Sequence, residues 1–388
     1  MKVAIVSFDH IDCGISLAKY LAEIRGLSID LYLVFSQKYR SVSIVNLEKF
    51  ELRNGLLKKE LSDNLIGSEI NNYMENRFNC RIFLYKSASI YDAANFYLSY
   101  RFAQSLKAEK YDLIHFNGTS GFMVFLHYFL RKVPRINTVH DPSPHTGESS
   151  WINSVVFKLL FRHKIGYILH SEVLVNEFIS RYNVNAASVY KVYYGPLEIY
   201  HYFNHEKIHA ENRTVLFFGR ISPYKGIEYL IDAAKIVRKK VSGLKVIIAG
   251  RGDLHFDVRD VMMDETFTFV NRYIPNDELV SFIKKASIVI CPYTDATQSG
   301  VVMTALAFNK PVIASEVGGL PEIIEHDITG KLVPPKDVAA LADAMLDLLV
   351  HSDKLERMQR NIRKKCQSEE LSWGYIAHRT YEIYQNFA

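Results

Sequence analysis

Two short stretches of this 388-residue chain combine residue types that can hold an anion. In the first, Gly219-Arg220 is followed by Ile-Ser-Pro-Tyr and then by Lys225-Gly226, which opens a helical pattern. Arginine offers a planar fork for two oxygens and lysine a point charge. A cation at a helix N-terminus opposes the helix dipole, so Lys225 is poorly placed unless an anion lies nearby. Two solvated surface cations explain the same letters equally well. In the second stretch, Ser299-Gly300-Val301 leads into VVMTALAF, an apolar helical run without charge. The start of that helix can present bare N–H groups to an anion. A serine N-cap is the simpler explanation when that stretch is taken alone. Two anion-competent turns after neighbouring strands together suit a diphosphate.

A further group lies in the first half of the chain. Asn137-Thr-Val-His140-Asp141-Pro142 ends a strand pattern with an imidazole beside a carboxylate, and His115 and Asn117 stand at the end of the preceding strand. A lone strand-end histidine is more often structural than catalytic, and the adjacent carboxylate shifts that balance slightly for His140. Cys13-Gly14, after the first strand, allows a tight backbone turn near a phosphate. No G-x-G-x-x-G follows a strand, which argues against a nicotinamide or flavin enzyme. The P-loop, H-E-x-x-H, G-x-S-x-G and D-x-D patterns are absent as well.

The elements that must position these residues alternate throughout. Short β-rich apolar runs at 2–8, 28–35, 112–118, 135–141 and 166–171 are separated by helical patterns such as 15–26 and 171–182. A second series has strands at 214–219, 244–250, 266–272, 287–293 and 311–315, with helices at 225–240 and 276–286 between them. Asp337 reads as an N-cap for the helix that follows. This alternation predicts parallel sheets covered by helices, in two doubly wound α/β domains. Ligands of such sheets sit beyond the carboxyl ends of strands, where all the residues above fall. Residues 39–110 are polar and less regular. The polar stretch 197–212 reads as a linker, and the aromatic last stretch could pack back across the domain boundary.

Composition excludes several classes. The chain is 48% hydrophobic and 23% charged, as globular proteins are. Its net charge of +5 suits anionic partners but is too small to argue for nucleic acid. The four cysteines, Cys13, Cys80, Cys291 and Cys366, lack C-x-x-C spacing and read as reduced thiols. No apolar run approaches the roughly 20 residues of a membrane span, and MKVAIVSFDH reads as a first strand rather than a signal peptide. A cytoplasmic protein is expected. The segment WINSVVFKLLFRHK (151–164) reads first as an amphipathic helix with a basic outer face. A second reading seats it on the inner, anionic face of a membrane.

Taken together, VLFFGRISPYKGIEYLIDAA, VIIAGRGD and IVICPYTDATQSGVVMTALAFNKPVIASEVGGLPEIIEHDITGKLVPP, with TVHDPSPH and ILHSE in the first half, resemble the GT-B glycosyltransferases. The likeness is to the retaining family often called GT4, in a variant with an S-G-V loop. The resemblance implies two Rossmann-like domains facing across a cleft. The acceptor-binding domain would be 1–196, the linker 197–212, the nucleotide-sugar domain 213–370, and 371–388 a helix returning to the first domain. It implies that Arg220 and Lys225 bind the donor diphosphate, that Ser299, Gly300 and Val301 contact it through backbone, and that His140 touches the transferred sugar. Gly14 fits the family's N-terminal glycine turn, with Cys13 where a second glycine is usual. The turn at Arg272 and Tyr273 falls where the base rests. The family carries two glutamates eight positions apart, where this chain has Ala296 and Thr304. Asp295 could stand in for the first, and Thr304 could make a single weaker bond to the ribose. His115, Asn117 and Asp141 are candidates for the acceptor side.

The activity so implied is retaining transfer from a nucleotide-diphosphate sugar, used as co-substrate, to a saccharide or lipid-linked saccharide. Cell-surface polysaccharide or glycolipid synthesis is the expected setting. No cofactor or metal is expected, because two cations already face the diphosphate. The alternatives are a GT-B nucleotide-sugar epimerase and a catalytically weak nucleotide-sugar-binding subunit.

Overall fold

The computed structural model describes residues 1–8, 10–37, 41–42, 44–48, 50–87, 92–142, 151–161 and 165–388. Backbone contacts divide them into two units: Met1–Tyr194 together with Trp373–Ala388, and Gly195–Ser372.

In the first unit the apolar runs form parallel strands β1 (Lys2–Ser7), β2 (Ser28–Ser36), β3 (Asn79–Tyr85), β4 (Leu113–Asn117), β5 (Arg135–Thr138), β6 (Gly166–Leu169) and β7 (Val189–Lys191). Their order is β7-β6-β5-β4-β1-β2-β3, with a two-residue antiparallel strand, Gly55–Leu56, beyond β3. The register aligns Ser7 with Asn117, and Asn117 with Thr138, so three polar residues share one end of the sheet. Helices α1 (Ile11–Leu21), α2 (Ala93–Ala108), α3 (Phe122–Phe129), α4 (Trp151–Leu160) and α5 (Glu172–Tyr182) fill the connections. Local chemistry marks two of their starts. Asp92 accepts from the Ala94 N–H at 3.0 Å ahead of α2, and Ser171 from the Leu174 N–H at 3.2 Å ahead of α5.

The second unit repeats the plan. Strands β8 (Thr214–Phe218), β9 (Lys245–Gly250), β10 (Phe267–Asn271), β11 (Ile288–Cys291), β12 (Val312–Ser315) and β13 (Gly330–Val333) are all parallel, in the order β10-β9-β8-β11-β12-β13. Helices α6 (Ile227–Val237), α7 (Asn276–Lys285), α8 (Gly300–Ala307), α9 (Val338–Val350) and α10 (Ser352–Ser368) accompany them. Asp337 caps α9 through the Ala340 N–H at 2.9 Å. Val215, Leu216 and Phe217 of β8 are fully buried, each stabilising the fold by about 1.5–3 kcal/mol over exposure. In both units the strand order reverses direction beside the first strand, between β1 and β4 and between β8 and β11. Loops on the two sides of such a point diverge and leave a crevice for a ligand.

Three strands escape the sequence pattern: β3, β7 and β13. In β3 the run NCRIFLY is interrupted by Arg81, whose guanidinium Nη2 donates to the Leu57 carbonyl at 3.2 Å, so a charged residue sits inside a strand. The stretch expected as a linker docks on the second unit. His201 Nε2 lies 3.0 Å from the Ala307 carbonyl at the end of α8, and Asn204 Nδ2 donates to Ser281 Oγ of α7 at 2.9 Å. The final helix, α11 (Trp373–Gln385), packs in the first unit, with Trp373 stacked on Tyr20 at 6.0 Å. The four cysteines are free and buried. Among the described residues no helix is long and apolar enough to cross a membrane.

His115 departs most from its expected place on the acceptor side. It is wholly buried, with Nδ1 2.6 Å from Tyr384 Oη of α11 and Nε2 2.7 Å from Thr138 Oγ1. Both ring nitrogens are therefore committed to holding the sheet and the last helix together. Tyr384→Phe leaves a buried ring nitrogen without its partner, which costs about 1–3 kcal/mol. The urea midpoint should fall, at constant slope, by that amount divided by the slope; an unchanged midpoint would show that the bond contributes nothing.

Candidate active site

The two anion-competent stretches meet at the crevice of the second unit. Gly219, just past β8, has a φ of +117°, and a side chain there would come within 3.2 Å of Val301 Cγ2. The Arg220 turn thus lies against the start of α8. Lys225 ends a short 3-10 turn, Pro223–Lys225, one residue before the N-cap of α6. Its ammonium sits 3.7 Å from the ring centroid of Tyr293 and 4.9 Å from that of Tyr224. Tyr293 is itself fully buried, so the cation rests on a low-dielectric aromatic floor. Tyr293 Oη is 3.3 Å from Ser299 Oγ. Arg220 is exposed and Lys225 largely buried.

Ser299 caps α8, accepting from the Val302 N–H at 3.3 Å, and the backbone ladder begins with the Met303 N–H bonding to the Ser299 carbonyl. The capping and anion-binding explanations of this stretch are therefore compatible. A cap uses the amide at the third helical position, and helix geometry turns the first two, Gly300 and Val301, outward.

Two glycines make this meeting of turns possible. A Cβ on Gly226, whose φ is +62°, would lie 2.0 Å from the Pro292 carbonyl oxygen, and one on Gly250 would lie 1.7 Å from the Gly219 carbonyl oxygen. Only bare backbone fits at either place. The Thr294 N–H then bonds to the Tyr224 carbonyl at 2.8 Å, joining the turn after β8 to the turn after β11.

The remaining donor-side residues have mixed placements. Arg272 is anchored by a two-pronged ion pair to Glu278 at the start of α7, at 2.6 and 2.8 Å, and its neighbour Tyr273 is exposed. Asp295 is half-buried. Ala296 is buried, and so is Thr304, whose hydroxyl donates to the Gly300 carbonyl at 2.7 Å. That hydroxyl's proton is spent inside α8, so at most a lone pair remains for a ribose.

In the first unit the strand-end residues form one polar cluster. His140 is buried, with Nε2 2.9 Å from the Asn117 carboxamide oxygen and Nδ1 3.1 Å from His170 Nε2. His170 Nδ1 in turn lies 2.8 Å from the Val192 carbonyl, and the Asn117 amide reaches Ser7 Oγ at 2.8 Å. His10 stacks on His140 with centroids 4.0 Å apart. Gly14, in the first turn of α1, packs so closely that a Cβ would lie 2.5 Å from Ser7 Oγ. Asp141 is half-buried beside this cluster.

A proton count orients the group. Burial holds His140 well below its ordinary value, with the neighbouring imidazoles adding to that, and holds His170 down to about 4 against the opposing pull of the Val192 carbonyl. Two neutral rings supply two protons for three bonds. Val192 can only accept, so His170 is protonated on Nδ1 and His140 on Nδ1. The Asn117 carboxamide must then turn its NH₂ toward His140 Nε2 and its oxygen toward the Ser7 hydroxyl. Both nitrogens of His140 are thereby occupied, and the ring is not placed to act as a general base. His170, Ser7 and Val192 were not singled out by sequence reasoning; the histidine inside ILHSE was the available signal for His170.

Residues 212–351 match the family described as Glycosyl transferases group 1. An uncharacterised glycosyltransferase of Methanocaldococcus jannaschii is 28% identical over 305 residues, covering 72% of this chain and 76% of that protein. An alpha-maltose-1-phosphate synthase of Mycobacterium tuberculosis is 31% identical over 184 residues, 44% of this chain, and the match spans only 47% of that enzyme. The solved structure of HepE from Anabaena, in complex with UDP and glucose, superposes with a TM-score of 0.69 over 100% of both chains at 18% identity. The fold is GT-B.

Two outcomes follow from these contacts. Gly250→Ala drives a methyl into the Gly219 carbonyl and should displace the Arg220 turn, lowering the melting temperature and abolishing any nucleotide-induced thermal shift; retention of both would refute the close approach. The first unit should also lose stability in acid. His170 and His115, held by burial to about 4 and about 3, stay neutral in the fold while unfolded imidazoles near 6.5 take up protons. Stability is then fully present above about pH 6.5 and falls as pH drops toward about 4. Melting temperatures at pH 7.5 and pH 5 measure this, and equal values would mean that the folded rings accept protons.

Proposed function

Residues 212–351 match the group 1 glycosyl transferases, and from that match we propose that the chain is a retaining glycosyltransferase. It moves a sugar from a nucleotide-diphosphate donor to a saccharide or lipid-linked saccharide, in cell-surface polysaccharide or glycolipid synthesis. The observation that carries this reading is the contact of the Gly219-Arg220 turn with Val301 beside the seat of Lys225. One crevice thereby gathers a guanidinium, an ammonium and the outward amides of a helix start. Those groups match a diphosphate, and HepE, of the same fold, holds UDP.

In this mechanism the bond from the anomeric carbon to the diphosphate oxygen breaks first. Arg220, Lys225 and the Gly300 and Val301 amides stabilise the charge that develops on the departing diphosphate, which is the dominant catalytic contribution. The acceptor hydroxyl attacks from the face the phosphate is leaving and gives its proton to that phosphate, so configuration is retained. Arg272 and Tyr273 frame the seat of the base, and Asp295 and Thr304 border the donor. His140, its ring nitrogens engaged within the cluster, orients the transferred sugar through its backbone carbonyl. Asn117 and the close packing of Gly14 hold that strand end in place, and Asp141 beside it faces the acceptor. The two cations do the work a metal would do, so transfer should survive EDTA.

A second reading has one observation in its favour. Thr304 stands where the resembled family has a glutamate, and its hydroxyl is spent on Gly300. A subunit that binds nucleotide sugar without turnover is the alternative.

Thermal stabilisation by UDP, GDP, CDP and ADP, and by their common sugars, tests both, followed by transfer assays with the stabilising donor. One nucleotide should raise the melting temperature with or without Mg²⁺. Arg220→Ala and Lys225→Ala should each lower turnover about 100-fold or more and remove that shift, with Arg220→Ala melting as the parent does. Normal rates in either variant would eliminate the diphosphate assignment. A nucleotide shift without transfer to any offered saccharide would select the binding subunit.

A further inference from the structure

We propose that the outer face of α2 and α3 docks on the surface of an anionic lipid bilayer. This extends the lipid-linked branch of the reading above, yet its test is separate from the donor assays.

Four large rings stand out from these two helices: Phe96 is 49% exposed, Tyr97 56%, Tyr100 43% and Tyr128 57%. Phe96, Tyr100 and Tyr128 converge on one ring, Phe129, and Tyr97 adjoins Phe96 on α2. Phe96 packs edge-on against Phe125 at 5.5 Å and Phe129 at 5.1 Å, Tyr100 against Phe129 at 5.5 Å, and Tyr128 against Phe129 at 5.3 Å. Contiguous exposed apolar surface of this kind marks an interaction site.

Charge selects the partner. The chain has 42 acidic residues, yet α2, α3 and α4, with sixteen, eight and ten residues, contain none. The carboxylates nearest in sequence flank α2 and are engaged elsewhere: Asp92 caps the helix, and Glu109 pairs with Lys2 at 2.8 Å. Cations are interleaved with the rings instead. The Arg131 guanidinium lies 5.1 Å from the Tyr128 centroid, and Arg101 Nη1 donates to Tyr97 Oη at 3.0 Å. Lys132, at the end of α3, is exposed, and so is Lys158 of α4, which packs on α3. Three of the four outermost rings carry hydroxyls, and the apolar Phe125 and Phe129 lie beneath them. An apolar body with a polar tip, bordered by Arg and Lys, is the composition that settles at a headgroup boundary. The segment 151–164, singled out in the sequence for the same property, is described here through residue 161; residues 162–164 lie outside the described residues.

The experiment is co-sedimentation of the full chain with vesicles of phosphatidylcholine alone and of phosphatidylcholine with phosphatidylglycerol in equal parts. The chain should pellet with the anionic vesicles and stay in solution with the neutral ones. Tyr97→Ser with Tyr128→Ser should weaken partition at least tenfold. Arg101→Gln with Arg131→Gln should weaken it about fivefold per charge removed and flatten its salt dependence. All four positions are at the surface, and an unchanged melting temperature with an unchanged nucleotide shift confirms that each variant is folded. As an independent readout, Tyr128→Trp should show blue-shifted emission on anionic vesicles and quenching by brominated lipid. Failure to pellet, equal binding to both vesicle types, or variants that partition like the parent would overturn the proposal. So would self-association in light scattering that Tyr97→Ser abolishes, which would assign the face to a second copy of the chain.

Discussion

Backbone meets backbone closer than any side chain allows at the end of β8. The Gly219 carbonyl occupies the space a Gly250 side chain would need, and the Pro292 carbonyl occupies that of Gly226. These approaches bind together turns from three strands, β9, β8 and β11, which lie side by side in the sheet. Ser299 is distant in sequence from Arg220 and Lys225, and the two stretches come within reach of one ligand because that packing is tight. Lys225 illustrates the cost and the compensation. A nearly buried ammonium is unfavourable in an apolar setting, and the faces of Tyr293 and Tyr224 return part of the lost hydration.

The polar end of the first unit is built on the opposite electrostatic plan. The second unit sets Lys225 and the Arg220 turn beside its strand-order reversal, whereas burial strips charge from His140, His170 and His115. A row of neutral rings linked from Val192 to Ser7 is rigid because each member has a donor for one side and an acceptor for the other. Such a row suits the positioning of a neutral hydroxylated ligand and is poorly suited to taking up a proton. That fits a mechanism in which the departing phosphate, and no side chain, is the base.

Several features were readable before the fold was known. Apolar runs separated by amphipathic stretches marked ten of the thirteen labelled parallel strands, and Asp337 was recognisable as a cap because its acceptor precedes an apolar-periodic run. The glycine, cation and hydroxyl residues at strand ends were conspicuous, since such residues interrupt runs that burial otherwise keeps apolar. β3 was hidden because Arg81 breaks its run, and a side chain that reaches a neighbouring carbonyl has no one-dimensional signature. The docking of 197–212 on α7 and α8 was hidden for a related reason: polar residues read as solvated until their partners are seen.

His115 and His140 mark the boundary between the two kinds of information. By itself the sequence determined that His115 lies on one strand and His140 just past the end of the next, because strand periodicity and turn residues are local properties. It also determined that Ser299 begins a helix and that Arg220 and Lys225 flank one turn. Only tertiary structure decided what each group faces. Tyr384 arrives at His115 from 269 positions away, and His170 reaches His140 from a separate strand end. Whether an imidazole is a ligand contact or a structural strut depends on which partners packing brings to its two nitrogens. Those partners are set by long-range contacts, which no local pattern encodes.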